Sequence, residues 1–247
     1  MISSIFNQSD WFFAFLINFI LILISHRSPI LTPKGWFHAG ALGTILWGCL
    51  GWQGWFAVVI YLVLGSLVTK IGFSYKKSLG ISESRNGSRG PENVWGSAAT
   101  GAFIAILIGL GIGSSNLLKI AFAASFSAKL ADTFGSEIGK RWGRKTYLIT
   151  SFRPVLAGTE GAVSLEGTFA SFAGCLLMSF VMTSLSITSG IISFLIIALS
   201  GFIATLLESV LAAVFQSRIN WLTNEVINFI QTTFAALFAI LITYNFQ

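Results

Sequence analysis

The sequence predicts an all-α, polytopic integral membrane protein with about eight transmembrane helices and its active site at the cytoplasmic face. Three observations carry that expectation. Hydrophobic residues make up 54% of the chain and charged ones 10%, against about 25% charged in a soluble domain. The apolar residues fall in continuous runs of roughly 20, the length that crosses a bilayer as a helix, rather than in alternating strands of about ten. The basic residues gather in alternate loops. A mean hydropathy of +0.80 agrees, as do 23 Phe and 8 Trp. The 247 residues are read as a single transmembrane domain.

Hydropathy places the spans at 9–25, 36–51, 53–73, 94–113, 117–139, 163–185, 187–215 and 226–245. The first is read as a retained helix, because the N-terminus has no basic n-region or small-residue cleavage site. The second is short, and Gly51 with Gly54 marks a tight turn into the third. Pro91-Glu92 suits the start of the fourth. The fifth carries several charges, the sixth follows a Gly-rich segment, the seventh contains Glu208, and Asn224 with Asn228 opens the eighth.

Alternation of these spans puts the loops 26–35, 70–93, 140–162 and 216–225 on one face, with 13 of the 15 Lys and Arg residues. Basic residues near helix ends are retained on the cytoplasmic side, so both termini are expected outside and the basic loops inside. The net charge of +6 then reflects membrane orientation and calls for no nucleic acid. Cys49 and Cys175 lie in apolar runs and read as small packing residues; His26 and His38 are isolated.

Ionisable residues inside spans are rare and mark functional sites by default. Lys129, Asp132 and Ser136 share one stripe of the fifth span, with Glu137 off that stripe at i+4 from Thr133. Two acids and a lysine on one helix suit a divalent cation with phosphates; a structural ion pair is the plainer alternative. Gly135, Gly139 and Gly143 form a ridge without side chains, suited to helix contact or to close approach of a phosphate chain. Arg153 precedes a segment holding Gly158, Thr159, Glu160, Gly161, Ser164, Glu166, Gly167 and Thr168. It lacks the Gly-Lys-Ser/Thr ending of a Walker A loop but has glycines, hydroxyls and a following helix N-terminus, the ingredients of an anion site. A capped Gly-rich turn would look the same. Arg89 and Asn93 stand before the fourth span, and Glu208-Ser209, Gln216, Asn224 and Asn228 add an acid and amides from the last two.

At these residues the chain resembles one polytopic family. Ala131-Asp-Thr-Phe-Gly-Ser-Glu-Ile-Gly139, Gly158-Thr-Glu-Gly-Ala-Val-Ser164, Glu166-Gly-Thr168, Glu208-Ser209 with Gln216, Asn224 with Asn228, and Arg89 with Asn93-Val94 look like the set found in the phytyl-phosphate kinases of plants and cyanobacteria. The Asp-Thr-x-x-Ser and Glu-Gly-Thr elements also resemble the CTP-dependent polyprenol kinases (dolichol and phytol kinases) and, more distantly, the CDP-diacylglycerol synthases. The match covers about residues 85–230, and Glu208 stands where the family pattern has Asp.

The resemblance implies transfer of the γ-phosphoryl of CTP, or another nucleoside triphosphate, to phytyl phosphate, giving phytyl diphosphate for tocopherol and prenylquinone synthesis. It implies Mg²⁺ as cofactor, held by Asp132, Glu137 and Glu208, with Lys129 joining Asp132 and Glu137 as the catalytic set. Arg89, Asn93, Ser136, Arg153, Gly158, Thr159, Ser164, Glu166, Thr168, Asn224 and Asn228 would bind nucleotide and phosphate. The expected partners are the nucleotide, a prenyl monophosphate lipid and membrane lipids, with a homodimer left open and no nucleic acid. A prenol (phytol) kinase, a cytidylyltransferase and a transporter are the alternatives.

Overall fold

The computed structural model describes residues 8–246. It is mostly helical: α1 (Gln8–Ser25), α2 (Pro33–Lys70), the short α3 (Phe73–Ser78), α4 (Pro91–Gly109), α5 (Ser115–Trp142), α6 (Leu165–Ser184), α7 (Ile191–Leu211) and α8 (Asn224–Asn245). Local chemistry sets several starts. Thr32 accepts from Gly35 N at 3.0 Å, with Pro33 opening the first turn of α2. Asn93 Oδ1 accepts from Gly90 N at 2.9 Å before α4, and Ser164 Oγ accepts from Gly167 N at 3.1 Å before α6. Each satisfies a backbone N–H that the first helical turn leaves without a partner.

The second and third predicted spans are the two halves of α2, broken at Gly51 (φ +75°, ψ −179°). A Cβ on Gly35 would lie 2.5 Å from the Arg89 carbonyl oxygen, and one on Gly65 would lie 2.8 Å from the Arg89 guanidinium. A continuous helix would hold those two glycines about 45 Å apart. The chain therefore folds back at Gly51, where positive φ admits glycine without strain. Asn18 of α1 sits in the fold, donating to Ala14 O at 2.8 Å and accepting from Trp55 Nε1 at 3.1 Å.

Helix α5 is the axis of the molecule. Every residue from Ile120 to Ala131 is buried, and α2, α4, α6, α7 and α8 all pack on it. By length and hydropathy, four helical stretches among the described residues qualify to cross a membrane: Pro33–Lys70, Leu165–Ser184, Ile191–Gln216 and Asn224–Asn245. Helix α5 carries Lys119, Lys129, Asp132, Glu137, Lys140 and Arg141. Its neighbours supply the apolar exterior in its place, with large side chains such as Phe103, Phe180, Leu195 and Leu237 exposed on α4, α6, α7 and α8.

Among the described residues, one two-stranded sheet departs from all-α. Thr146–Leu148 (β1) and Ala162–Ser164 (β2) pair antiparallel, with Tyr147 opposite Val163. Thr, Tyr and Val favour the pleated geometry, and the pairing draws together the two ends of a loop that hydropathy alone reads as irregular. The glycine ridge of α5 is filled by α6. A Cβ on Gly135 would meet Ser171 Oγ at 2.0 Å, and one on Gly167 would meet the Gly135 carbonyl oxygen at 2.8 Å. Helix contact fills the ridge at Gly135, while Gly135 and Gly139 also border a cleft. Cys175 is buried and Cys49 partly so, and both are free thiols, as the packing reading expects.

Gly167→Val tests this contact. Backbone lies directly opposite, so the substitution should cost about 1–3 kcal/mol as overpacking does, measured as a lower thermal unfolding midpoint in detergent.

Candidate active site

The C-terminal half of α5 carries its charges into a cleft of about 410 Å³. Lys129 Nζ donates to Asp132 and, at 2.8 Å, to Asn228 Oδ1 of α8. One turn of α5 and one residue of α8 thus fix an ammonium that is 6% exposed. Gln231 of α8 braces the same junction by donating to Ala128 O and Thr205 Oγ1, both at 3.2 Å. Asp132, Glu208 of α7 and Asn228 line the cleft together, and Ser209 Oγ donates to Glu208 Oε2 at 3.3 Å.

Glu137 faces a different way. Its carboxylate takes the ammonium of Lys76, which lies on α3, is fully buried and also donates to Thr69 O at 2.8 Å. Thr133 does not pair with Glu137; its hydroxyl donates to Lys129 O at 3.0 Å. The other Glu137 oxygen is 3.7 Å from Lys140 Nζ, which reaches Glu83 at 3.1 Å. Four alternating charges therefore run from α3 through α5 to the 79–88 loop. Glu137, paired with Lys76, still borders the cleft that Asp132 and Glu208 line without such a cation from α3.

A second wall forms ahead of α4. Arg89 Nη1 donates to Tyr61 OH at 3.1 Å and stands over that ring. Its backbone is tied to Ile30 and Thr32, each at 3.0 Å. Asn93 Nδ2 donates to Glu225 Oε1 at 3.0 Å, and Asn93 Oδ1 accepts from Arg85 at 2.7 Å.

The Gly-rich segment supplies the third wall. Gly161 (φ +71°) would bring a Cβ within 2.5 Å of Ser209 O, so only glycine lets this loop lie against α7. The contact falls where α7 widens into a π-helical turn at Ala212–Gln216. Gly158 (φ +86°) packs against Ile81 of the 79–88 loop. The hydroxyl hydrogens here are spent within the wall: Thr159 on Leu156 O at 2.8 Å, Thr168 on Ser164 O at 2.9 Å and Ser136 on Thr133 O at 3.3 Å. Partial desolvation pushes the Glu160 carboxyl above its ordinary value; Lys140 opposes this and the charges of Glu83 and Asp132 add to it. For Glu83 burial acts the same way, but Lys140 prevails and holds the carboxyl below its ordinary value.

Thirteen of the fifteen residues expected from sequence line this cleft: Arg89, Asn93, Lys129, Asp132, Ser136, Glu137, Gly158, Thr159, Ser164, Thr168, Glu208, Asn224 and Asn228. Arg153 and Glu166 do not. Arg153 is exposed, its carbonyl accepting from Leu148 N at 2.9 Å on the far side of the hairpin, and Glu166 sits in the first turn of α6 outside the lining. Gln216, grouped by sequence with Glu208, also lies outside it. Sequence reading missed Lys76, Glu83, Lys140 and Glu225, which look like ordinary loop charges. Lys76 and Glu137 are separated by 61 positions, and no local spacing reports such a pair. Of the nine Asp and Glu in the chain, six line the cleft, against three basic side chains, Arg89, Lys129 and Lys140. A basic protein has gathered its acids in one place.

Lys76→Met should destabilise the protein by about 3–5 kcal/mol, because it leaves a buried carboxylate without its cation. Adding Glu137→Leu should recover much of the loss in thermal unfolding. The Glu83–Lys140 pair, with its lowered carboxyl, should hold at neutral pH and release as pH falls through the Glu83 value. Limited proteolysis of the 79–88 loop should then accelerate on acidification, and Glu83→Gln should show the faster cleavage already at neutral pH.

The chain is 46% identical to "Uncharacterized membrane protein sll0875" of Synechocystis, over 97% of this chain and 95% of that protein. It is 39% identical to "Protein VTE6, chloroplastic" of Arabidopsis thaliana, over 90% of this chain and 69% of that one. It is 31% identical to "Uncharacterized membrane protein MJ0933" of Methanocaldococcus jannaschii, over 94% and 93%. No solved structure matches it. The family model described as integral membrane protein DUF92 matches residues 16–236, the whole of the cleft included. The chain is a member of the DUF92 family of integral membrane proteins.

Proposed function

We propose that this chain is a membrane-embedded prenyl-phosphate kinase that transfers the γ-phosphoryl of CTP, or another nucleoside triphosphate, to phytyl phosphate. The observation that carries the reading is the cleft itself. Residues far apart in sequence, matching the motif set of the phytyl-phosphate kinases, meet around one cavity whose lining is rich in acids, with lysine and arginine beside them. The orientation inferred from the basic loops opens it on the cytoplasmic side of an eight-helix bundle, where nucleotides are found, and the product would serve tocopherol and prenylquinone synthesis.

The residues fit a magnesium-bound nucleotide better than a metal caged by protein alone. Among the described residues, no three His, Cys, Asp or Glu side chains gather closely enough to hold a metal. Mg²⁺ commonly takes one or two carboxylates and completes its shell with water and substrate phosphates. Asp132 and Glu208 supply the carboxylates, and when bound the ion would neutralise phosphate charge. Lys129, held by Asp132 and Asn228, places its ammonium toward phosphate oxygens. Lys140 and Arg89 add cations at two other walls. The Glu137–Lys76 pair ties α5 to α3, and Asn93 and Asn224 would help to orient the nucleotide.

In the reaction an oxygen of the acceptor phosphate forms a bond to the γ-phosphorus while the bond from that phosphorus to the β–γ bridging oxygen breaks, releasing the nucleoside diphosphate. The acceptor is already ionised at neutral pH, so no general base is needed, and catalysis is positioning and charge neutralisation. A free prenol acceptor is the second reading. It would require a base, which one of the cleft carboxylates would have to supply.

Purified protein in nanodiscs, given γ-labelled CTP, Mg²⁺ and either phytol or phytyl phosphate, tests this. Labelled phytyl diphosphate should form from the monophosphate, with Asp132→Asn lowering the rate about 100-fold or more. Labelled phytyl phosphate from phytol would select the prenol kinase, and pyrophosphate release a cytidylyltransferase. No transfer from any nucleotide by folded protein would overturn the proposal.

A further inference from the structure

The cleft lining is polar or small on every wall but one. Among its residues only Phe202 and Leu206 are larger than valine and apolar, and both lie on α7. They continue a line of side chains, Leu195, Leu199, Phe202 and Leu206, at the 4-3-4 spacing that keeps one face of a helix. Leu195 is 55% and Leu199 49% exposed, whereas Phe202 and Leu206 are partly buried at the cleft. One face of α7 therefore leads from the apolar exterior to the wall beside Glu208.

The neighbouring helix meets it there. Thr168 and Ser171 of α6 line the cleft, and Phe172, the next residue, packs edge to face on Phe202 with ring centroids 5.7 Å apart. Phe172 is itself 46% exposed. A single aromatic pair thus stands between the polar cleft and the outer surface of the α6–α7 seam.

We propose that this seam is the path of the acceptor's hydrocarbon tail: the phosphate head sits among Lys129, Asp132 and Glu208, and a prenyl chain leaves between Phe172 and Phe202 along Leu199 and Leu195. The proposal rests on the prenyl-phosphate reading above and adds where the tail lies and which side chains measure it. Continuity fixes the occupant, since the track ends at the charged wall and its ligand must carry an ionised head on an apolar chain. A tail kept in hydrocarbon avoids the cost of exposing each CH₂ to water.

Two measurements test it. Phe202→Trp and Leu206→Trp narrow the seam, so the ratio of kcat/KM for a C20 prenyl monophosphate to that for a C5 one should fall about tenfold or more. Equal loss for both acceptors in variants with wild-type unfolding midpoints would overturn the assignment. The second needs no turnover: a C20 prenyl monophosphate with a diazirine at its tail end, photolysed on wild-type protein in nanodiscs, should label α6 and α7 peptides containing Phe172 and Leu195–Leu206. Unlabelled C20 monophosphate should abolish that labelling. Labelling elsewhere, or labelling the monophosphate does not displace, overturns the path whether or not the kinase reading holds. Displaceable labelling at the seam without phosphoryl transfer overturns the kinase reading and leaves the path.

Discussion

A charged helix can sit at the centre of an apolar bundle only when its charges are answered there. Helix α5 is such a helix, and the rest of the structure is arranged around that requirement. Lys129 is answered by Asp132 and by an amide from α8, and Glu137 by Lys76 from the six-residue α3. An isolated ion in that setting would carry a desolvation penalty of several kcal/mol. The pairings explain why α3 folds in under α5, why α8 lies against it, and why the apolar exterior is left to the other helices. They also fix the charged groups in position before any ligand arrives, as preorganised electrostatics requires.

Glycine does the complementary work. At Gly135 and Gly167 the absence of side chains lets α5 and α6 touch, which brings the Ser164–Ser171 turn to the cleft. At Gly161 a left-handed backbone lets the preceding loop lie on α7, beside Glu208 and Ser209. The β1–β2 pairing closes the base of that loop. Three walls of unrelated sequence are thereby set to within contact of one another.

Much of this was legible in the chain. The apolar runs are helices, four stretches of which, among the described residues, are long and apolar enough to cross a membrane; α5, with six charges, is a helix that hydropathy alone does not carry across, and Gly51 is recognisable as the reversal in α2. The stripe of Lys129, Asp132 and Ser136 could be read from helical spacing alone. Glu137 could not be placed the same way, since its partner Lys76 lies 61 positions away on the short α3 and looks in sequence like any other lysine beside a span. Arg153 was drawn in by sequence proximity to the Gly-rich segment, but the hairpin turns it outward. The two-stranded sheet itself escaped notice because three residues per strand is too short for a period-two pattern to declare itself. Thr159 and Thr168 were read as donors to a ligand, whereas their hydrogens hold the wall together.

The excess of acids in the cleft of a basic membrane protein is the feature on which the functional account turns. Such a cleft should accept a polyphosphate only together with a divalent cation. Calorimetric titration of the protein in nanodiscs with a non-hydrolysable CTP analogue, with Mg²⁺ and with EDTA, tests this directly. Saturable binding with the metal and none without it is the predicted result. Equal affinity in EDTA would contradict it and would mean that the carboxylates of the cleft serve some ligand other than a metal-bound nucleotide.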